Sequence, residues 1–142
     1  MLDEEIFPIC SPDYLQRHGP ITLECLGEHE LLELHGRWDW VGWRQWLSQR
    51  GVSLGEQAVV REFNLWPLLT DAVVNGEGVG LGWKYLSDHL MDSGSIVRPL
   101  HESLSTDRGY YLVRREPLSE FAHSFYVWLK QRASSAVARA FH

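Results

Sequence analysis

Residues 70–99, TDAVVNGEGVGLGWKYLSDHLMDSGSIVRP, constrain the fold more than any other stretch of this chain. A helix end, a glycine-laced strand at 79–83, a short helix and a further strand over 95–100 follow one another there. Helix–strand–helix–strand is the building unit of an α/β sheet. The glycines of EGVGLG alternate as G-x-G-x-G, which is the wrong spacing for a dinucleotide turn, and a strand follows where such a site needs a helix. Gly76, Gly78 and Gly80 are therefore read as serving close backbone packing and not a phosphate.

The rest of the chain supplies matching elements. IFPIC (6–10) is a short apolar run closed by Ser11 and Pro12, which suits a buried strand ending in a turn. Ser11 then serves as N-cap and Pro12 as first helical residue, where a missing N–H costs nothing; His18-Gly19-Pro20 ends that helix. A short helical turn follows Thr22, and LLEL (31–34) reads as a strand. In GRWDWVGWRQWLSQRG (36–51), Trp40, Trp43 and Trp46 are three apart, which stacks them along one helical face, with Gly51 as C-cap. VVREF (59–63) is the next strand. Asn64 is placed as N-cap of a helix over LWPLLTDAVVNG, and Ser87 and Gly94 bracket a short helix before the strand SIVRPL. After a polar loop, YYLVRR (110–115) is read as a strand. Pro117 starts a last helix in which Leu118, Phe121, Ala122, Phe125, Trp128 and Leu129 recur at three- and four-residue steps; the tail SSAVARAFH extends it or frays.

A length of 142 residues fits one domain, which buries roughly 70% of its unfolded surface. Thirteen basic against nineteen acidic residues give a net charge of -6, which is not the footprint of a nucleic-acid binder. The acidic start, MLDEEIFPIC, is unlike a secretory signal, and no apolar run approaches about 18 residues, so a cytoplasmic protein without membrane contact is expected. Cys10 and Cys25 lack CxxC spacing and are read as free, buried, inert thiols in a reducing compartment.

No catalytic residue, metal site or cofactor is expected. Asp88, His89 and Asp92 share a short helix, but HExxH is absent and a solvated polar face is the expected reading. His101-Glu102 falls in a polar loop. Neither GxSxG nor a P-loop occurs, and neither cysteine has an evident base nearby in sequence.

Taken in order, several segments carry a family pattern: FPICSPDYL, LGEHELL, WRQWL, AVVNGEGVGLG, LMDSGSIVRPL, GYYLV and FYVWL, spanning about residues 2–132. Each is weak alone, but their order and spacing together resemble the effector-binding domain of LysR-type bacterial transcription regulators. The W-x-x-W-L helix and Gly82-Trp83 are most similar to a subgroup resembling glycine-cleavage activators, whereas many relatives have Leu-Pro at 82–83. The resemblance implies an α/β fold, the second lobe of a periplasmic-binding-protein-like (type 2) effector domain, with a mixed sheet flanked by helices plus a C-terminal helix. It implies a division into residues 1–116, the second lobe with its crossover strands, and 117–142, a helix that packs on a first lobe.

The same resemblance assigns residues to roles. Effector contacts would come from the end of the first strand, Ile9, Cys10 and Ser11, from the strand-to-helix junction Phe63, Asn64, Leu65 and Trp66, and from Gly82 and Trp83. Asn64 is favoured because an N-cap beside free helix N–H groups orients a polar or anionic ligand. A partner-facing surface would comprise Leu65, Leu68, Leu69, Ala72, Val73, Val79 and Leu81, making a homo-oligomer. The implied partner is a small-molecule effector of the amino acid, betaine or organic acid class. Trp66 and Trp83 add the idea of an aromatic cage for a quaternary ammonium group, since such cations bind over ring faces. The winged helix-turn-helix and first half-lobe of such regulators are not found here, so the chain reads as a truncated gene product or excised piece that senses a metabolite without touching DNA. The competing reading is an interaction module that does not sense, but self-associates or modulates assembly of full-length relatives through the uncovered faces of Phe121, Phe125 and Trp128.

Overall fold

The computed structural model describes residues 2–36 and 38–140. They fall into two compact units, Glu5–Leu104 and Met1–Glu4 with Ser105–His142. Along the chain lie β1 (Leu2–Ile9), α1 (Pro12–His18), a 3-10 turn (Leu26–Glu28), β2 (Leu31–Leu34), α2 (Trp43–Ser48), β3 (Val60–Phe63), α3 (Trp66–Val74), β4 (Val79–Trp83), α4 (Asp88–Asp92), β5 (Leu104–Tyr110) and α5 (Glu120–Ala140). One five-stranded sheet has the order β3-β2-β4-β1-β5. β2 runs parallel to both β3 and β4, and β1 runs antiparallel to β4, pairing Ile6 with Trp83 and Ile9 with Gly80.

Local chemistry accounts for most of the element ends. The Ser11 hydroxyl accepts from the Tyr14 N–H at 3.1 Å, with Pro12 opening α1 and Gly19 at φ 73° closing it. α3 carries Pro67 in its first turn and stops at Asn75, followed by Gly76 at φ 73°, a conformation that favours glycine. Glycine also sets the sheet-to-helix distance, because a Cβ at Gly80 would meet Val73 Cγ2 at 2.8 Å and Leu69 Cδ2 at 3.2 Å. At Gly78 a Cβ would collide with the Glu30 carbonyl oxygen. Close packing is thus the role of Gly78 and Gly80, and a left-handed turn that of Gly76.

Strand alternation puts the helices on both faces. Leu32 and Gly80 are neighbours in register and share the α3 side, while Glu33 reaches the other side and caps α2 by accepting the Trp43 N–H at 2.7 Å. Trp43 and Trp46 are fully buried there, their indole N–H groups donating to the Leu32 and Ile6 carbonyls at 3.0 Å each. Two such side chains remove roughly 150–250 Å² each from water, about 4–6 kcal/mol apiece before entropy.

Several expectations need correction. Only Trp43 and Trp46 lie on α2; Gly42 is its N-cap, so Trp40 precedes the helix and packs elsewhere. The N-cap of α3 is Leu65 and not Asn64, and it makes no side-chain capping bond. Residues 95–100 contribute a single bridge, Cys10 to Val97, and no strand. The last strand is the polar Leu104–Tyr110 and not 110–115, where Tyr111, Leu112 and Val113 are exposed; the Thr106 hydroxyl donates to the Glu4 carboxylate. α5 begins at Glu120, three residues later than Pro117 suggested. Gly51, at φ 67°, follows the Gln49 C-cap of α2 instead of forming it.

The residues assigned to a partner-facing surface divide by burial. Leu65 and Leu68 are 56% and 49% exposed on the outer side of α3, whereas Leu69, Ala72, Val73, Val79 and Leu81 are 0–4% exposed. Those five are core residues, closing α3 over the sheet, and no partner reaches them without opening the unit.

Candidate functional site

Three parallel strands, β3, β2 and β4, end at the same edge of the Glu5–Leu104 unit. The connection leaving β2 passes through α2 to β3 on one side, and that leaving β3 crosses back through α3 to β4 on the other. Such a reversal opens a crevice at the carboxyl ends of the strands, where α/β sheets bind ligands.

Three tryptophans from different segments meet there. Trp83 at the end of β4 packs edge-on against Trp40 from the β2–α2 connection, with centroids 5.2 Å apart at 73°, and against Trp66 opening α3, 5.6 Å apart at 87°. Trp83 is buried, and Trp40 and Trp66 are half-buried. Trp83 therefore backs the cluster while the other two present part of their surface. Beside Trp40 lies a cavity of about 370 Å³ lined by Leu34, His35, Gly36, Trp38, Asp39 and Trp40.

Polar groups lie at the same strand ends. The α3 N-terminus has no side-chain cap, so its first N–H groups remain for solvent or a ligand, and exposed Asn64 stands just before it. His35 Nδ1 and Glu62 Oε1 are 3.6 Å apart across β2 and β3. Next to Trp83, Lys84 Nζ lies 3.0 Å and Arg98 Nη1 3.6 Å from the Glu5 carboxylate. Burial pushes the Glu5 carboxyl up, but hydrogen bonds from Lys84 and Ser103 and the Lys84 and Arg98 charges outweigh it and hold the group below its ordinary value.

Backbone and side-chain anomalies collect at the same strand end. Tyr85, at φ 71°, is the one non-glycine with positive φ among the described residues, and its N–H donates to Asp88 Oδ1 at 3.1 Å. Strain of this kind persists only where the surroundings over-determine it, and it clusters at binding sites. The Ser87 hydroxyl is fully buried without a partner, and it would lie 2.8 Å from a Cβ at Gly82.

The sequence-assigned site residues separate into two groups. Phe63, Asn64, Leu65, Trp66, Gly82 and Trp83 come together at the parallel-strand ends. Cys10 and Ser11 do not: β1 runs opposite to β4, so the chain beyond Ile9 leads past Gly80 and away from Trp83, whereas the Ile9 side chain packs against Gly82, where a Cβ would meet its Cγ2 at 2.7 Å. Ile9 and Cys10 are fully buried and the Ser11 hydroxyl is spent on capping α1. Sequence reasoning missed Trp40, Tyr85, Ser87 and the Glu5–Lys84–Arg98 group. Gly42, a helix-breaking residue inside the tryptophan stretch, was the available signal for Trp40.

A mixed sheet with helices on both faces, its parallel strands ending together beside the tryptophan cluster, is the architecture on which the comparisons with known proteins bear. The family described as LysR substrate binding domain matches residues 1–142, and the chain belongs to it. It is 27% identical over 143 residues to the HTH-type transcriptional regulator DsdC of Escherichia coli (strain K12), covering 95% of this chain and 45% of that protein. It is 25% identical over 135 residues to the glycine cleavage system transcriptional activator of the same organism, covering 93% and 43%. The chain thus spans less than half the length of these relatives, both of them transcriptional regulators. Among solved structures, the AmpR effector binding domain from Citrobacter freundii superimposes with a TM-score of 0.71 at 23% identity, covering 94% of this chain and 66% of that one. The effector domain of AmpR of Pseudomonas aeruginosa gives 0.68 at 22%, covering 98% and 66%. These establish the fold, a type 2 periplasmic-binding-protein-like α/β lobe. No helix of the described residues is long and apolar enough to cross a membrane, and no group of three or more His, Cys, Asp or Glu among them could hold a metal ion.

Proposed function

We propose that this chain forms the second effector-binding lobe of a LysR-type transcription regulator, with residues 1–116 making the lobe and 117–142 a helix that packs on a first lobe. It senses a small metabolite and takes part in homo-oligomerisation, without contacting DNA or membrane itself, in the cytoplasm. The observation that carries this reading is the Trp40–Trp83–Trp66 cluster beside the uncapped α3 N-terminus at the parallel-strand ends. Aromatic faces suit a cationic or apolar group, and helix N–H groups suit a carboxylate. An amino acid or a betaine carries both, and an organic acid only the second.

Calorimetry of the chain, alone and within a complete regulator, against amino acids, betaines and organic acids tests the proposal. Binding by one class, weakened about tenfold by Trp66→Leu or Trp40→Leu, is expected, a loss of about 1.4 kcal/mol. No heat from any class in either form would overturn it. Trp83→Ala is the wrong probe, because removing a fully buried indole costs roughly 3–5 kcal/mol of stability. Trp83→Phe keeps the wall.

The self-associating module is retained as a second reading because large apolar side chains are exposed: Leu65 and Leu68 on α3, and Phe121 (87%), Phe125 (60%) and Trp128 (49%) on α5. A clean monomer in analytical ultracentrifugation at tens of micromolar, on the order of weak-interface affinities, counts against it.

A further inference from the structure

We propose that Cys25 is a modification site: an accessible thiol with His29 as its base, which takes up small-molecule disulfides by thiol–disulfide exchange. The cluster that supports this lies at the start of β2, at the edge opposite the tryptophans, and has no part in the binding site described above.

Cys25 and His29 flank the 3-10 turn Leu26–Glu28, which brings Sγ and Nε2 to 3.7 Å. The other ring nitrogen, Nδ1, is 3.0 Å from the Tyr14 hydroxyl. In the tautomer the reaction uses, Nδ1–H donates to the Tyr14 oxygen and Nε2 turns its lone pair toward the sulfur. The Thr22 N–H donates to Sγ at 3.1 Å, and the Thr22 carbonyl, 3.5 Å away, is the alternative acceptor for the thiol hydrogen. His18 stacks on Tyr14 at 4.1 Å and meets His29 edge-on at 6.0 Å, fixing the tyrosine and imidazole in place. Burial lowers the His29 pKa and the His18 charge lowers it further, against an opposing pull from Glu28, so the ring is neutral near pH 7 and able to take a proton.

The two cysteines differ in kind. Cys10 is fully buried, and burial pushes its thiol up to about 11. Cys25 is half-buried, with a base in reach that spacing alone did not reveal: four residues apart in sequence, joined by one tight turn. A thiol reacts as its thiolate, so a base within reach and a partly open surface are what distinguish a reactive cysteine from a structural one.

In the exchange, the Cys25 proton passes to His29 Nε2 and the sulfur attacks one sulfur of R–S–S–R. The Cys25–S–S–R bond forms as the original disulfide breaks, and the expelled thiolate takes the proton from His29 and leaves as R–SH. Cys25 is oxidised and the leaving sulfur reduced by the same amount, so the disulfide itself is the only oxidant. Buried Cys10 offers no exposed thiol to resolve the adduct, which therefore persists until a small thiol removes it.

The test uses the intact chain and oxidised glutathione, with adducts mapped by mass spectrometry between roughly pH 6 and pH 8. Native Cys25 is expected to react at least about tenfold faster than in the urea-unfolded chain, while Cys10 reacts only after unfolding. His29→Gln should slow Cys25 about tenfold and remove the imidazole inflection from its pH profile, which His18, Arg17, Glu28 and Glu30 around the cluster would leave in place. Tyr14→Phe, which keeps the ring stacking but not the hydroxyl, should give an intermediate rate. Native Cys25 reacting no faster than the unfolded residue, or a folded His29→Gln reacting as the parent does, would overturn the proposal. If His29→Gln does not fold, the native-to-unfolded ratio and Tyr14→Phe decide it.

Discussion

Gly80→Ala is the sharpest test of how this domain is built, because one methyl group is placed where the structure has no room. Its Cβ would stand 2.8 Å from Val73 Cγ2, inside the distance that real contacts adopt, and 3.2 Å from Leu69 Cδ2. Leu69 has a flexible end that can yield by a few tenths of an ångström. Val73 does not: it is β-branched, held in one rotamer by the helix and fully buried. α3 must therefore lift from the sheet. Overpacking of this kind costs about 1–3 kcal/mol, and the gain from restricting an unfolded glycine offsets only about 0.4–1 kcal/mol. A net loss of about 1–2 kcal/mol should lower the urea midpoint by roughly 0.5–1 M for a typical small-domain slope. Tryptophan fluorescence is a suitable readout, since Trp66 rides on α3 and packs on Trp83. Gly55→Ala, where a Cβ meets nothing within 4 Å, is the control and should be neutral or slightly stabilising. If Gly80→Ala matches the parent or exceeds it, the reading of β4 as a close-packed glycine strand is wrong.

Further outcomes follow from the same contacts. Glu5 is held below its ordinary pKa, so its stabilisation is complete above the unfolded value of about 4.3 and is lost as pH falls through the folded value. Glu5→Gln should therefore cost about 1 kcal/mol at pH 7, discounted for its partial exposure, with the gap to the parent closing below about pH 4 in pH-dependent urea melts. Ser11→Ala should lose about 1 kcal/mol of stability through the α1 cap and leave effector affinity unchanged in calorimetry, whereas a loss of affinity would return Ser11 to the binding site. Trp83→Ala should drop the thermal midpoint far more than Trp83→Phe, as expected of a buried wall.

Much of this architecture was legible in local chemistry. Ser11-Pro12 opening α1, LLEL as β2, Pro67 and Asn75-Gly76 bounding α3 and VGLGW as β4 all follow from caps, breakers and alternation, which act within a few residues. Where such signals compete, local composition does not decide the element. The apolar run 110–115 has better strand composition than Leu104–Tyr110, yet the polar segment pairs in the sheet. The three-residue spacing of the tryptophans points to one helix, yet Gly42 caps that helix and leaves Trp40 before its start.

The sequence by itself determined the order of helices and strands, the glycine-lined central strand and membership of the LysR substrate-binding family. Which residues meet was decided only by the tertiary structure. Strand direction put Cys10 and Ser11 away from Trp83, because β1 pairs antiparallel with β4 and carries its end the other way. Chain crossover brought Trp40, Trp66 and Trp83 together from three separate segments, and one tight turn set His29 against Cys25. The physical reason is range: periodicity and capping report on neighbours a few residues away, whereas sites form where loops close distant segments into one packed register.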